Sequence, residues 1–394
     1  MNKLETKKIV DKIFNYIDNG EVKTEYNTFK GHPGLYFFHT KEEFEKILNL
    51  YLQKEEYDRY DIYYIVQRLI KFLLDKYDSH TRMWFQDDVV FPIKFKIENN
   101  KVYVINVAED LENIIGGELV SINNISIKQI INELEQIICY STEEHLETTI
   151  SNYLTHFNIL KSLPSIDNNI TKANYKILYN GVEKNIIFDE SKKYNNYQDN
   201  IKENCTYEIK DDILIIYYNS CKNRDKMNKL VEEIKQEKNI NYYIVDIRNN
   251  SGGDSSIIDP LIEFLTDKEV ITLVNEKVFS SGMMAMMDLK RIGSYTIGTN
   301  VGTSLNYFGE TPDKFDLNNL GLSIKRSNRY WYYDEDLNCK SFTKGKFEEY
   351  FKDKKELLEP IIFKPDKFVD LTVKDIISGN DVQLNSAIEY IKNQ

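Results

Sequence analysis

Two turns in this 394-residue chain bring serine, glycine and a helix start together. In "NEKVFSSGMMAMM", Asn275 to Met287, the adjacent serines Ser280 and Ser281 stand where a strand-like run gives way to a helix-like one. A hydroxyl at such a point is exposed, and the positive end of the helix favours an alkoxide as it forms, which suits a nucleophile. The same place suits a helix cap, whose oxygen accepts from the first backbone N–H groups. One βα unit earlier, "VDIRNNSGGDSS" closes a strand and sets Gly252 and Gly253 ahead of the next helix. Paired glycines permit positive φ and let a substrate carbonyl approach bare N–H groups, as an oxyanion hole requires; a plain strand-to-helix turn uses them equally well. No Gly-Lys-Ser/Thr ending follows, which argues against a phosphate loop. A nucleophile beside donor N–H groups is what acyl transfer needs.

A serine nucleophile also needs a base, and the chain has five histidines. His32 and His39 lie in a loop-like stretch, and His145 and His156 in a polar, helix-like one; all four read as surface or packing residues. His80 differs, because "DKYDSHTRMWF" places it at the end of a long amphipathic helix beside Asp78 and Ser79. A histidine favoured by the helix dipole would sit in the same place.

The formal net charge of -12, from 51 Lys+Arg against 63 Asp+Glu, comes with no dense basic block, so a nucleic-acid partner is not expected. Cys139, Cys205, Cys221 and Cys339 show neither CxxC nor Cys/His metal spacing, so neither a disulfide scaffold, a metal nor another cofactor is expected. No apolar run is long enough for a membrane segment, and no export signal is visible, which points to the cytoplasm. An oligomer is compatible with all of this.

The elements that must position these residues change character along the chain. Residues 3–77 read as amphipathic helices, the second opened by a Thr40/Glu43 capping box. Residues 89–189 read as hairpins turning at Glu98-Asn99-Asn100, Asn123-Asn124 and Asn180-Gly181, with helical insertions, and suggest a small β-rich module. From Asp211 strands and helices alternate, which predicts an α/β fold with a largely parallel sheet whose function gathers at the carboxyl ends of its strands. Both glycine-serine turns are at such ends.

"YYIVDIRNNSGGDSS", "VNEKVFSSGMMAMMDLKRIGSYTIGTNVGTSLNYFGE" and "KPDKFVDLTVKDIISGNDVQLNSAIEYI" resemble, in order, motifs of the tail-specific or C-terminal processing serine peptidase superfamily. "DSHT" is similar to the histidine motif of the branch containing the tricorn protease core and interphotoreceptor retinoid-binding protein, and "GHPGLYFFHTKEEFEKIL" resembles the helical lead-in of bacterial members. The likeness runs from about Gly31 to the C-terminus. It implies a helical N-terminal region over residues 1–85, a PDZ-like module with a helical insertion over 86–195, and a crotonase/Clp-like ββα-spiral core over 205–394, with His80 contributed from the first region.

Carried over residue by residue, the resemblance implies Ser280 as nucleophile, His80 as general base, Ser79 and Glu359 as its supports, and an oxyanion hole of Ser281 with Gly252 or Gly253. The activity implied is peptide-bond hydrolysis on a peptide or protein substrate. The lysine base of the processing branch is replaced by Leu305, Met283 replaces an acidic residue, and the Gly-Val that normally follows the supporting glutamate is missing after Glu359. Glu335 and Glu356 therefore stand as further candidates, and an inactive peptide-binding relative is the alternative reading.

Overall fold

The computed structural model describes residues 1–25, 27–194, 201–334 and 336–393. Two compact units emerge: Met1–Tyr197 with Asn306–Asp334 and Asn338–Pro360, and Gln198–Leu305 with Glu335–Leu337 and Ile361–Gln394. The fold is mixed α/β, as the alternation of periods predicts.

In the first unit the helices Lys3–Asn19, Lys41–Tyr51 and Arg59–Leu74 each begin with a capping box, at Asn2/Glu5, Thr40/Glu43 and Asp58/Asp61. Each box satisfies two N–H groups that the first helical turn leaves without acceptors. Arg59–Leu74 buries Ile62, Val66, Leu69 and Leu73 at helical spacing, so packing fixes the point from which the chain runs on. It continues as a short 3₁₀ turn, Asp75–Tyr77, and then as the loop that carries Asp78, Ser79 and His80. The strand Arg82–Phe85 follows and pairs antiparallel with Leu322–Lys325.

The β-rich module of this unit is an antiparallel sheet ordered Ile93–Glu98, Lys101–Val107, Glu118–Ile122, Lys172–Tyr179, Val182–Asp189. All three expected turns are present. Asn99 and Asn100 have φ of 52° and 60°, Asn123 and Asn124 49° and 64°, and Asn180 and Gly181 51° and 77°. Asparagine and glycine tolerate this left-handed backbone, and two such residues in succession match the twist of the flanking strands. A smaller sheet of Tyr307–Gly309, Arg329–Tyr333 and Cys339–Phe342 is covered by an aromatic cluster that includes Phe308, Tyr330, Phe347 and Phe351.

The second unit is built on one six-stranded sheet ordered Thr206–Lys210, Ile213–Tyr217, Tyr242–Asp246, Glu269–Val274, Tyr295–Gly298, Lys367–Phe368. The first pair is antiparallel and the rest are parallel. Ile213–Tyr217 is buried at every position, as a parallel strand covered on both faces must be. Helices Arg224–Ile234, Asp259–Leu265 and Ser281–Arg291 are the crossovers, and Val382–Lys392 packs against the same sheet. Tyr242–Asp246 and Glu269–Val274 are neighbours in parallel register, so the turns after them leave the same end of the sheet. No helix among the described residues is long and apolar enough to cross a membrane.

Candidate active site

The serine turn of the second unit is shaped by backbone hydrogen bonds. Ser280 occupies the cap position of the Ser281–Arg291 helix, yet its side chain makes no capping bond, and its backbone is at φ 56°, ψ -127°. A non-glycine residue in this region is strained, by about 1–3 kcal/mol, and persists only where its surroundings enforce it. Enforcement comes from both sides: the Ser280 N–H donates to Thr303 Oγ1 at 3.0 Å, and the Ser280 carbonyl accepts from Met283 N at 2.9 Å. The cap reading of this serine is therefore not what the geometry shows.

The glycine turn packs directly on it. Asn250, wholly buried, donates through Nδ2 to the Tyr218 carbonyl at 3.0 Å, and its Oδ1 accepts from Gly252 N at 3.0 Å and from Cys221 Sγ at 3.3 Å. The Gly252 N–H is thus occupied. Gly253 N and Ser281 N, by contrast, have no acceptor among the described residues, and the Ser281 hydroxyl donates to the Gly253 carbonyl at 2.8 Å, tying the two turns together. Gly252 has φ +100°, and a Cβ there would stand 2.9 Å from Ser281 N; Gly253 has φ +142°, and a Cβ there would stand 2.2 Å from the Cys221 carbonyl oxygen. Glycine at the first position keeps the Ser281 N–H bare, and at the second allows the close approach of Cys221. An uncapped serine hydroxyl beside two unoccupied N–H groups is an arrangement able to receive and stabilise a developing oxyanion.

Other residues of these motifs hold the structure together. Arg248 holds Asp246 through Nε at 2.9 Å and Nη2 at 2.6 Å, and grips Asp381 with Nη1 and Nη2, both at 2.7 Å. The strand end "VDIR" and the tail "SGND" are thereby locked by a charge-assisted fork. Met283 is completely buried and packs in the core. Leu305 donates its N–H to the Ile361 carbonyl at 2.8 Å.

In the first unit the "DSHT" loop is organised by Asp78, which has no exposed surface. Its Oδ1 accepts from His80 N at 2.7 Å, Thr81 N at 3.1 Å and Ser327 Oγ at 3.0 Å; its Oδ2 accepts from the Thr81 hydroxyl and from His32 Nε2 at 2.9 Å. Burial pushes this carboxyl up, but the hydrogen bond from His32 and the other donors outweigh it and hold the group below the usual carboxylate range. His32 Nδ1 accepts from Gly34 N at 3.0 Å, so the proton of its ring is on Nε2, toward Asp78.

His80 is buried and stacked on Tyr307, ring centroids 5.3 Å apart. Burial drives its imidazole down to about 3; Asp78 pulls the other way, and Lys325 and Arg82 add to the fall. Ser79, its neighbour, is half-buried. Glu359 is not with the imidazole: its exposed carboxylate is held by Lys76 Nζ, and accepts from the Tyr77 hydroxyl at 3.3 Å. Lys76 accordingly lowers its pKa. Glu356 is exposed, and Glu335 lies outside the described residues. Of the remaining histidines, His156 pairs with Asp88 at 2.7 Å, and His39 with Glu43 at 3.8 Å. His145 is held down to about 4 by burial and by Arg82.

Sequence reasoning missed the roles of Thr303 and Asn250 and the pairing of Asp78 with His32. A signal existed only for the last, since a histidine flanked by Gly31 and by Pro33-Gly34 in a lead-in otherwise made of helices marks a turn that packs inward.

Residues 212–288 match the family model for peptidase family S41. Over the whole chain the structure is similar to mature CPAF complexed with lactacystin, at 10% identity and TM-score 0.64, covering 100% of this chain and 98% of that one. It is likewise similar to mature CPAF alone, at 10% identity and TM-score 0.62, covering 98% of this chain and 96% of that one. At such identities the likeness is one of fold. A search of curated proteins finds no match.

Proposed function

We propose that this chain, whose residues 212–288 match the family model for peptidase family S41, is a serine-type peptidase that hydrolyses peptide bonds through an acyl-enzyme on Ser280, with His80 as general base. The observation that carries this reading is the Ser280 turn: a strained, uncapped serine whose neighbours Gly253 and Ser281 present unoccupied N–H groups. The Ser280 Oγ attacks the scissile carbonyl while its proton passes to the neutral His80 imidazole. The carbonyl oxygen becomes an oxyanion between the two N–H groups. As the C–N bond breaks, the imidazolium returns the proton to the departing amine. Water then repeats the sequence on the ester. Gly252, whose N–H is spent on Asn250, serves by keeping the space open. Ser79 and Glu359 remain as supports to be tested; Glu359 reaches the imidazole only if it leaves Lys76. The PDZ-like module supplies the peptide-binding edge in this reading.

A fluorophosphonate probe tests the proposal directly. Stoichiometric labelling lost in Ser280→Ala, with turnover lower by roughly 10⁴-fold or more, is the expected result, whereas Ser281→Ala, which removes a hydroxyl bonded to the Gly253 carbonyl and leaves the N–H in place, should do far less. A folded wild-type protein that neither labels nor cleaves would support the alternative, a peptide-binding relative without catalysis.

A further inference from the structure

Arg82 and Lys325 stand directly opposite each other in the antiparallel pair of Arg82–Phe85 with Leu322–Lys325. Residues so placed share one face of the sheet with Cβ atoms about 5 Å apart, and like charges there repel. Their chain neighbours Met83 and Ile324 point to the other face and are buried in the core, which fixes the register and holds the two cations together. Arg82 is exposed and Lys325 half-buried. Among the described residues, neither has a carboxylate in ion-pair contact, although Asp+Glu exceed Lys+Arg by 63 to 51 in the chain. The one carboxylate close enough to act on Lys325, that of Asp78, already accepts five hydrogen bonds. Burial and the facing Arg82 push the Lys325 ammonium down to about 8, so the pair is an electrostatic cost that Asp78 offsets only in part. It is also next to the "DSHT" loop: Arg82 is two residues beyond His80, and both cations act on that imidazole.

We infer that Arg82 and Lys325 form a carboxylate-binding subsite beside His80, which selects peptides carrying an acidic group near the bond to be cut. The inference rests on the peptidase reading for its position and on the cation pair alone for its chemistry. A carboxylate can bridge the guanidinium and the ammonium, turning a repulsive pair into a charge-assisted network. It would also cancel part of the positive field on His80. The carboxylate can come from an Asp or Glu side chain or from the chain terminus.

The test uses full-length protein and synthetic peptides built around a bond mapped in a digest of unfolded casein. One series exchanges Glu for Gln at each flanking position with blocked ends; the other compares free with amidated C-termini. The wild type should favour one acidic member by roughly tenfold or more in kcat/KM, the size expected of about one charge-assisted contact. In Arg82→Gln/Lys325→Gln the ratio should fall to near one, and Arg82→Glu, a change at an exposed position, should reverse it. The series that responds identifies the source of the carboxylate. Binding of the same peptides to Ser280→Ala, read by fluorescence anisotropy, should show the same discrimination. Cleavage without discrimination, or discrimination that survives in the double variant, overturns the subsite alone. If the wild type cleaves nothing in the digest, the same two series are built on an arbitrary casein segment and their binding to Ser280→Ala is measured: a preference for the acidic member means that the peptidase reading fails and the subsite stands, and no preference overturns both.

Discussion

The backbone N–H of Ser280 lies 3.0 Å from the hydroxyl oxygen of Thr303, a residue with no exposed surface. This bond fixes the one atom that must be held if the serine is to keep its left-handed backbone, because the helix that follows offers that N–H no acceptor. Thr303→Val keeps the shape and removes the oxygen. Loss of the acceptor should cost about 1–3 kcal/mol of stability, and relaxation of the turn should slow probe labelling by roughly 10²-fold. Thr303→Ser should restore both. A Val variant that labels at the wild-type rate would show that the strain is enforced elsewhere.

The two glycines separate into different roles. At Gly252 an added methyl group stands 2.9 Å from Ser281 N, against 2.2 Å from the Cys221 carbonyl at Gly253. That methyl group is also 2.9 Å from the Phe279 carbonyl oxygen and from Ser280 Cβ, so Gly252→Ala needs a backbone shift of a few tenths of an ångström, smaller than the one Gly253→Ala needs. It should cost less stability and lose roughly 10²-fold or more in turnover by crowding the oxyanion position. Gly253→Ala must displace backbone, so it should lower stability by about 3 kcal/mol or more, the upper range of overpacking. Thermal unfolding and labelling of both variants decide it; equal loss of fold in the two would leave the Gly-Gly turn structural. A branched residue such as valine at either site is a poor probe, since steric damage would mask loss of a donor.

How far the sequence reaches follows from what kind of contact is asked of it. The Asn99-Asn100, Asn123-Asn124 and Asn180-Gly181 turns and the parallel sheet were legible because they depend on local backbone preference and on period. The two serine-glycine turns were legible as places, since both end adjacent parallel strands. Which N–H groups are free was not: the Asn250 side chain takes Gly252 and leaves Gly253, a choice made by side-chain geometry two residues away. Contacts between distant segments carry no period at all, as with Asp78 and Ser327 or Arg248 and Asp381. Glu359 illustrates the limit of counting along the chain, because position in a motif says nothing of Lys76 and Tyr77, which hold its carboxylate.

The pH dependence of catalysis follows from the burial of His80. A base must be neutral, and burial lowers this imidazole to about 3 from a reference of about 6.5. Glu359, which would have raised it, is bonded to Lys76. Labelling of Ser280 should therefore hold its rate as pH falls through 6.5, and its acidic limb should lie well below that value. Stability behaves differently over the same window. Between about pH 6.5 and 3 the unfolded chain binds a proton at this histidine and the folded chain does not, so the contribution present above 6.5 is lost progressively as pH falls. His145, lowered to about 4, adds a loss of the same sign. The measurement is the labelling rate and the urea midpoint of wild type and His80→Gln from pH 4 to 9. Wild type should label at a near-constant rate down to the pH at which it begins to unfold. His80→Gln should label roughly 10³-fold or more slowly throughout, with a shallower fall of stability in acid. An acidic limb near 8 that persists in His80→Gln would point to a depressed lysine such as Lys325 and remove His80 from the mechanism.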